Sequence, residues 1–168
     1  LEVFCGVAEL SRQVSHTGRW VLMWDISFGD GYDLLRLSNV RLISGWLRAG
    51  LIWGIHFGTP CQSFTRARDR PGGPPPLRSN ACPLGLPDLA RSADRLAVFR
   101  GNSLMRASCR LFLDAVAMGV PCSLENPAFS RLWLCPGPTQ ILRRASVSFT
   151  ITDFCMWGKP WRKSTGFM

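Results

Sequence analysis

Leu51-Ile52-Trp53-Gly54-Ile55-His56-Phe57-Gly58-Thr59-Pro60-Cys61-Gln62-Ser63-Phe64 is an apolar run that stops at a glycine and hands over to a cysteine-bearing loop. Leu51 to Phe57 reads as a buried strand and the string from Gly58 as its exit. A second stretch, Leu124-Glu125-Asn126-Pro127, follows the apolar segment Pro121 to Leu124 in the same way. A cysteine and a glutamate at two such strand ends can meet over one substrate. That arrangement suits a thiolate nucleophile paired with an acid that activates its target, and it predicts an enzyme.

Outward from these two strings, short apolar runs alternate with amphipathic stretches, the pattern of strand-helix units around a mainly parallel sheet. The other strands expected are Leu1 to Cys5, Trp20 to Trp24, Asp33 to Leu35 and Ser148 to Phe154. Helices are expected over Val7 to His16, Val40 to Ala49 and Asp94 to Met118, the last broken near Gly101-Asn102, where glycine weakens the helix and Asn-Ser can cap a new start. Thr65 to Pro87, crowded with Arg, Pro and Gly, reads as a long loop rather than a linker. The 168 residues suffice for a single domain over 1–168, which would bury roughly 70% of its unfolded surface.

Twenty basic residues against eleven acidic ones leave a net charge of +9. Such a balance fits a polyanionic partner such as nucleic acid; equally, since only Lys159 and Lys163 are Lys and the rest Arg, it fits a coding bias. Seven cysteines, no two closer than thirteen positions, give neither a disulfide framework nor the paired spacing of a zinc site. No metal is expected. No apolar run reaches the length of a membrane span, and the first residues lead into a strand rather than a signal peptide. The expectation is an intracellular monomer, located with nucleic acid in a reducing compartment.

Phe4-Cys5-Gly6-Val7-Ala8 opens the first expected strand into a turn where glycine lets the backbone approach a nucleotide-like ligand. Asp25, ending the second strand, reads either as an acceptor for ribose hydroxyls or as a helix cap. In order, Phe4 and Gly6, Asp25, Pro60-Cys61-Gln62 with Phe64, and Glu125-Asn126-Pro127 resemble the successive motifs of DNA cytosine-5 methyltransferases, over nearly the whole chain. The resemblance implies a Rossmann-like class I methyltransferase sheet, mostly parallel, with helices on both faces, binding S-adenosylmethionine and DNA. It implies Cys61 as nucleophile on carbon 6 of cytosine and Glu125 on ring nitrogen 3. Phe4, Gly6, Asp25, Asp33 and Pro60 would serve the cofactor; Gln62, Ser63, Arg66, Arg68 and Asn126 would serve the substrate.

Two departures stand out. Ala8 replaces the second glycine of the family's first turn. In Trp157-Gly158-Lys159-Pro160-Trp161-Arg162-Lys163-Ser164-Thr165, which resembles the segment supplying Gln and two Arg to the family's active site, Trp161, Lys163 and Thr165 stand at those positions. Arg162 and Lys163 are the candidate substitutes. Two alternatives remain open: a catalytically inactive nucleic-acid-binding module of the same fold, and an RNA cytosine-5 methyltransferase.

Overall fold

The computed structural model describes residues 1–168 as an α/β protein with four α-helices and a six-stranded sheet. The chain forms two compact units, each discontinuous in sequence: Leu1–Thr59 with Ala107–Leu124, and Pro60–Arg106 with Glu125–Met168. Helix α3 (Ser92–Ala117) and strand β4 (Cys122–Pro127) run through both.

In the first unit, β1 (Glu2–Val3), β2 (Met23–Trp24) and β3 (Ile55–Phe57) join the start of β4 in the order β2-β1-β3-β4, all parallel. Val3 pairs with Trp24 and Phe57, and Phe57 with Leu124. These side chains are apolar because the strands are covered: Val3, Phe57 and Leu124 are fully buried. Helix α1 (Glu9–Ser15) follows the turn after β1. Helix α2 (Leu37–Arg48) carries Val40, Ile43, Ser44 and Leu47 on one buried stripe, the spacing that aligns side chains on one face. Phe112 of α3 lies 6.5 Å from Phe57 between ring centroids; burying one such ring contributes about 1.5–3 kcal/mol.

In the second unit, the end of β4 pairs antiparallel with β6 (Ser164–Phe167), which pairs antiparallel with β5 (Thr150–Asp153). Helix α4 (Pro136–Leu142) precedes this hairpin. The sheet is therefore mixed, which corrects the expectation of a mostly parallel one. Only residues 154–163 connect β5 to β6, and a parallel crossover needs a dozen or more, so the two strands can close only as a hairpin.

Three further expectations are corrected. Asp33 to Leu35 is a turn, not a strand, because the Asp33 carboxylate accepts the Leu35 N–H at 2.8 Å and bends the chain on itself. Glu125-Asn126-Pro127 does not leave the sheet but continues β4: its parallel partner β3 ends at Phe57, and β6 takes over from Glu125. Helix α3 does not break at Gly101. A Cβ there would lie 2.4 Å from Ser63 Oγ and 2.9 Å from Arg78 Nη2, so glycine serves a close approach rather than a helix end. No helix is long and apolar enough to cross a membrane, and no three His, Cys, Asp or Glu side chains cluster as metal ligands would.

Candidate active site

Cys61 lies four residues beyond β3 and Glu125 directly after Leu124, the β4 residue paired with Phe57. Cys61 therefore follows the carboxyl end of β3, where open α/β sheets bind ligands, while Glu125 lies within β4, one residue past the end of its parallel pairing with β3. The Cys61 carbonyl accepts the N–H groups of Phe64 at 2.8 Å and Thr65 at 2.9 Å, which curls the chain into a tight turn and leaves the thiol half-buried. All seven cysteines are free thiols. Burial pushes the Cys122 and Cys135 thiols up to about 11, so these two are poor thiolates near neutrality. Glu125 is half-buried and takes part in none of the protein's ion pairs. Asn126 beside it is 2% exposed.

Arg78, which sequence reasoning missed, organises the turn after Cys61. Its side chain is 1% exposed and has no carboxylate partner. Instead Nε donates to Ser63 O (3.0 Å), Nη1 to Pro83 O (2.8 Å) and Asn102 Oδ1 (2.7 Å), and Nη2 to Ser63 Oγ (2.9 Å) and Val98 O (3.2 Å). Those bonds use all of the donors a guanidinium has. The cation also sits 3.8 Å above the Phe64 ring. Burial lowers its pKa to about 10, still well above neutrality, so it remains charged. Ser63, expected at the substrate, is buried and held by this arginine.

A second arginine fastens the loop that follows. Arg131 donates from Nη1 to Asp69 Oδ1 at 3.0 Å and from Nη2 to Asp69 Oδ2 at 2.6 Å, while its backbone N–H donates to Phe64 O at 3.0 Å. This bidentate pair ties the Arg-rich loop to the turn after Glu125-Asn126-Pro127. The Arg131 hydrogen bonds hold the Asp69 carboxyl below its ordinary pKa. Asp69 is the single acid between Thr65 and Pro87, a signal that could have marked it as the loop's anchor. Of the expected substrate residues, Gln62 is exposed, Arg66 donates to the Asn80 amide oxygen at 3.1 Å and helps hold the Asp69 carboxylate charged, and Arg68 donates to Pro75 O at 3.0 Å. Arg66, Arg70, Phe129, Ser130 and Ser164 border a cavity of about 360 Å³.

Arg162 and Lys163 sit at the mouth of the β5–β6 hairpin, both exposed. Arg162 Nε donates to Asp153 at 2.9 Å, and Lys163 Nζ lies 4.7 Å over the Phe154 ring. Neither is shown beside Cys61 or Glu125. Thr165 is buried in β6 opposite Pro127.

In the first unit, the turn after β1 holds left-handed backbone at Phe4, Gly6 and Ala8, with φ of 60°, 52° and 55°. Two of these three are not glycine, and non-glycine residues there carry strain. Asp25 braces the turn: one carboxylate oxygen accepts the Gly6 N–H at 3.0 Å and the other the Ser27 N–H at 2.9 Å. Burial raises its pKa, but these N–H bonds outweigh it and hold the carboxyl below its ordinary value. Asp25 thus caps a turn, and its further lone pairs stay available to a ligand. Phe4 is half-buried, as is Pro60 in the second unit, and Asp33 is committed to its own turn.

No family model matches this sequence, and neither the curated proteins nor the solved structures contain a match.

Proposed function

We propose that this protein methylates carbon 5 of cytosine in DNA, with S-adenosylmethionine as donor and Cys61 as nucleophile. One observation carries the reading: Cys61 follows the carboxyl end of β3, Glu125 stands in the neighbouring strand β4 just past the end of its parallel pairing with β3, and neither residue is tied up in a structural ion pair.

The Cys61 thiolate adds to carbon 6 of the ring, forming a C–S bond and moving electron density onto carbon 5. Glu125, sharing a proton with ring nitrogen 3, stabilises the charge that develops there. Bound S-adenosylmethionine supplies the electrophilic methyl group. Loss of the carbon 5 proton then breaks the C–S bond and returns the thiolate. Ring faces are closed in a stacked duplex, so the target base must leave the stack.

The first unit's residues fit the cofactor. The Phe4 carbonyl lies 3.0 Å from where a Cβ on Gly58 would stand, so two strand ends approach through bare backbone, the surface a polar methionine moiety needs. Asp25, anchored on Gly6 and Ser27, retains acceptor capacity for ribose hydroxyls.

The test is covalent trapping on duplex DNA carrying 5-fluorocytosine, with S-adenosylmethionine. Fluorine cannot leave as a proton does, so turnover stalls as an adduct that survives denaturation. The expected result is an adduct with the parent chain and none with Cys61→Ser. A folded parent chain that gives no adduct would overturn the reading. One observation favours a second reading, a nucleic-acid-binding module without turnover: Arg162 and Lys163 are occupied by Asp153 and Phe154. That module would bind DNA with strong salt dependence and with no change in Cys61→Ser.

A further inference from the structure

The cavity of about 360 Å³ is not used by the chemistry above. It is lined on one side by Thr65, Arg66 and Arg70, and on the other by Phe129, Ser130 and Ser164. Its hydroxyls are engaged in part, Thr65 and Ser130 as acceptors that keep an O–H to donate and Ser164 as a donor. Thr65 Oγ1 accepts the Ala67 N–H, Ser130 Oγ accepts the Leu132 N–H, and Ser164 Oγ donates to Asp153. The nearby carboxylates are engaged too, Asp69 by Arg131 and Asp153 by Ser164 and Arg162. What the cavity offers a ligand is two guanidinium groups outside any ion pair, Arg70 and Arg66, the latter donating to Asn80 and within the field of Asp69, together with an aromatic ring, Phe129, that is 69% exposed. Its volume stands at the small end of the roughly 300–1,000 Å³ of small-molecule sites. It can take one planar group with one anionic group, and it is too small for a base pair.

We propose that this cavity holds a single unstacked nucleotide beside the target base, its base on Phe129 and its phosphate on Arg66 and Arg70. The inference rests on the reading that Cys61 and Glu125 act on a nucleobase, and it adds a preference for single-stranded or locally opened DNA. Aromatic rings stack on any exposed base, and guanidinium groups neutralise the backbone, so such a site grips a strand without reading its sequence.

The experiment measures binding of a fluorescein-labelled single-stranded oligodeoxynucleotide containing one cytosine, by anisotropy, in the full chain. Stacking of one base on an aromatic residue is worth ~1–3 kcal/mol, so Phe129→Ala should weaken binding about 5- to 150-fold, and Phe129→Trp should keep it. An abasic position next to the cytosine should weaken the parent chain to the same level and make Phe129→Ala harmless. Arg66→Ala with Arg70→Ala should flatten the salt dependence by about 0.7 in slope for the one phosphate lost. Parent-like binding by Phe129→Ala, whose exposed side chain leaves folding unaffected, would overturn the proposal. Adduct formation that ignores Phe129 likewise sinks the cavity proposal while the methyl-transfer reading stands. Phe129-dependent binding with no adduct does the reverse.

Discussion

The first unit satisfies its buried backbone with strands and helices and links distant parts of its chain by side-chain hydrogen bonds: Ser11 to Glu2, Ser44 to Asp114, Thr59 to Ser108 and His56 to Ser123. In the second unit, residues 65–91 contain one 3-10 turn and no other regular element, yet Leu77 and Arg78 within them are buried. Carbonyls buried in such a loop have no ladder to join and still need donors. Arg78 provides them for Pro83 within the loop and for Ser63 just before it, and also reaches the Val98 carbonyl of α3. Where a loop carries the candidate nucleophile Cys61, a guanidinium has replaced secondary structure as the scaffold.

The hardest blow to this contrast is Arg78→Met, which strips donors from the buried Ser63 carbonyl and hydroxyl, the part-buried Pro83 carbonyl and Asn102 Oδ1, and from the Val98 carbonyl of α3. Each unsatisfied group costs about 1–3 kcal/mol, so the second unit should lose ~3 kcal/mol or more. Hydrogen exchange should show the amides of Phe64, Thr65 and Leu86 losing protection while those of Ile55 and Phe4 keep theirs. Equal loss in both units would erase the distinction.

Gly101→Ala tests the same anchor from the helix side. Alanine normally gains about 1 kcal/mol over glycine inside a helix. Here its Cβ would crowd Ser63 Oγ, Arg78 Nη2 and Phe64, and overpacking of this kind costs ~1–3 kcal/mol. The net sign should be destabilising, read as a lower urea midpoint; a higher midpoint would mean that the anchor yields.

Asp69→Asn should cost less, about 1 kcal/mol or below, because the carboxylate is partly exposed. Its pKa is lowered in the folded state, so the ion pair's contribution is complete above the ordinary Asp value of 3.8 and disappears as pH falls through the lower folded value. Urea unfolding across that window should show parent and variant converging at the acid end. A gap that persists there would assign the loss to packing instead of charge.

The smallest effect concerns the first unit. Ala8 sits at φ 55°, ψ 38°, where an L side chain costs roughly 1 kcal/mol relative to glycine. Ala8→Gly should raise stability by about 0.5–1 kcal/mol. A decrease would mean that the buried Ala8 methyl packs better than its backbone is strained.

The parallel strands and α2 were legible in the sequence because burial imposes a period on apolar residues, as at Val40, Ile43 and Leu47. The loop exit at Cys61 was legible because Gly58 and Pro60 punctuate it. Strand β6 was not: Ser164-Thr165-Gly166-Phe167 has no apolar run and owes its place to pairing with β4 and β5. The Asp33 turn was misread because an apolar neighbour, Leu34, hid a side-chain-to-backbone bond. Arg78 and Arg131 could not be told from the other arginines, since long-range hydrogen bonds leave no trace in local composition. Of the expected site, the position of Cys61 after its strand followed from the sequence; the continuation of β4 through Glu125 and the clamps around them did not.

The interleaving of the two units has a consequence for synthesis. The chain passes between them at residues 59–60, within α3 and within β4. The nascent parallel sheet lacks its last strand until Leu124 has left the ribosome, so the cysteine loop emerges long before Glu125 and β6 can join it. For the same reason no single cut releases either unit whole: a cut after Leu124 divides β4, and removal of residues 1–59 takes β1, β2 and β3 from the first unit's sheet.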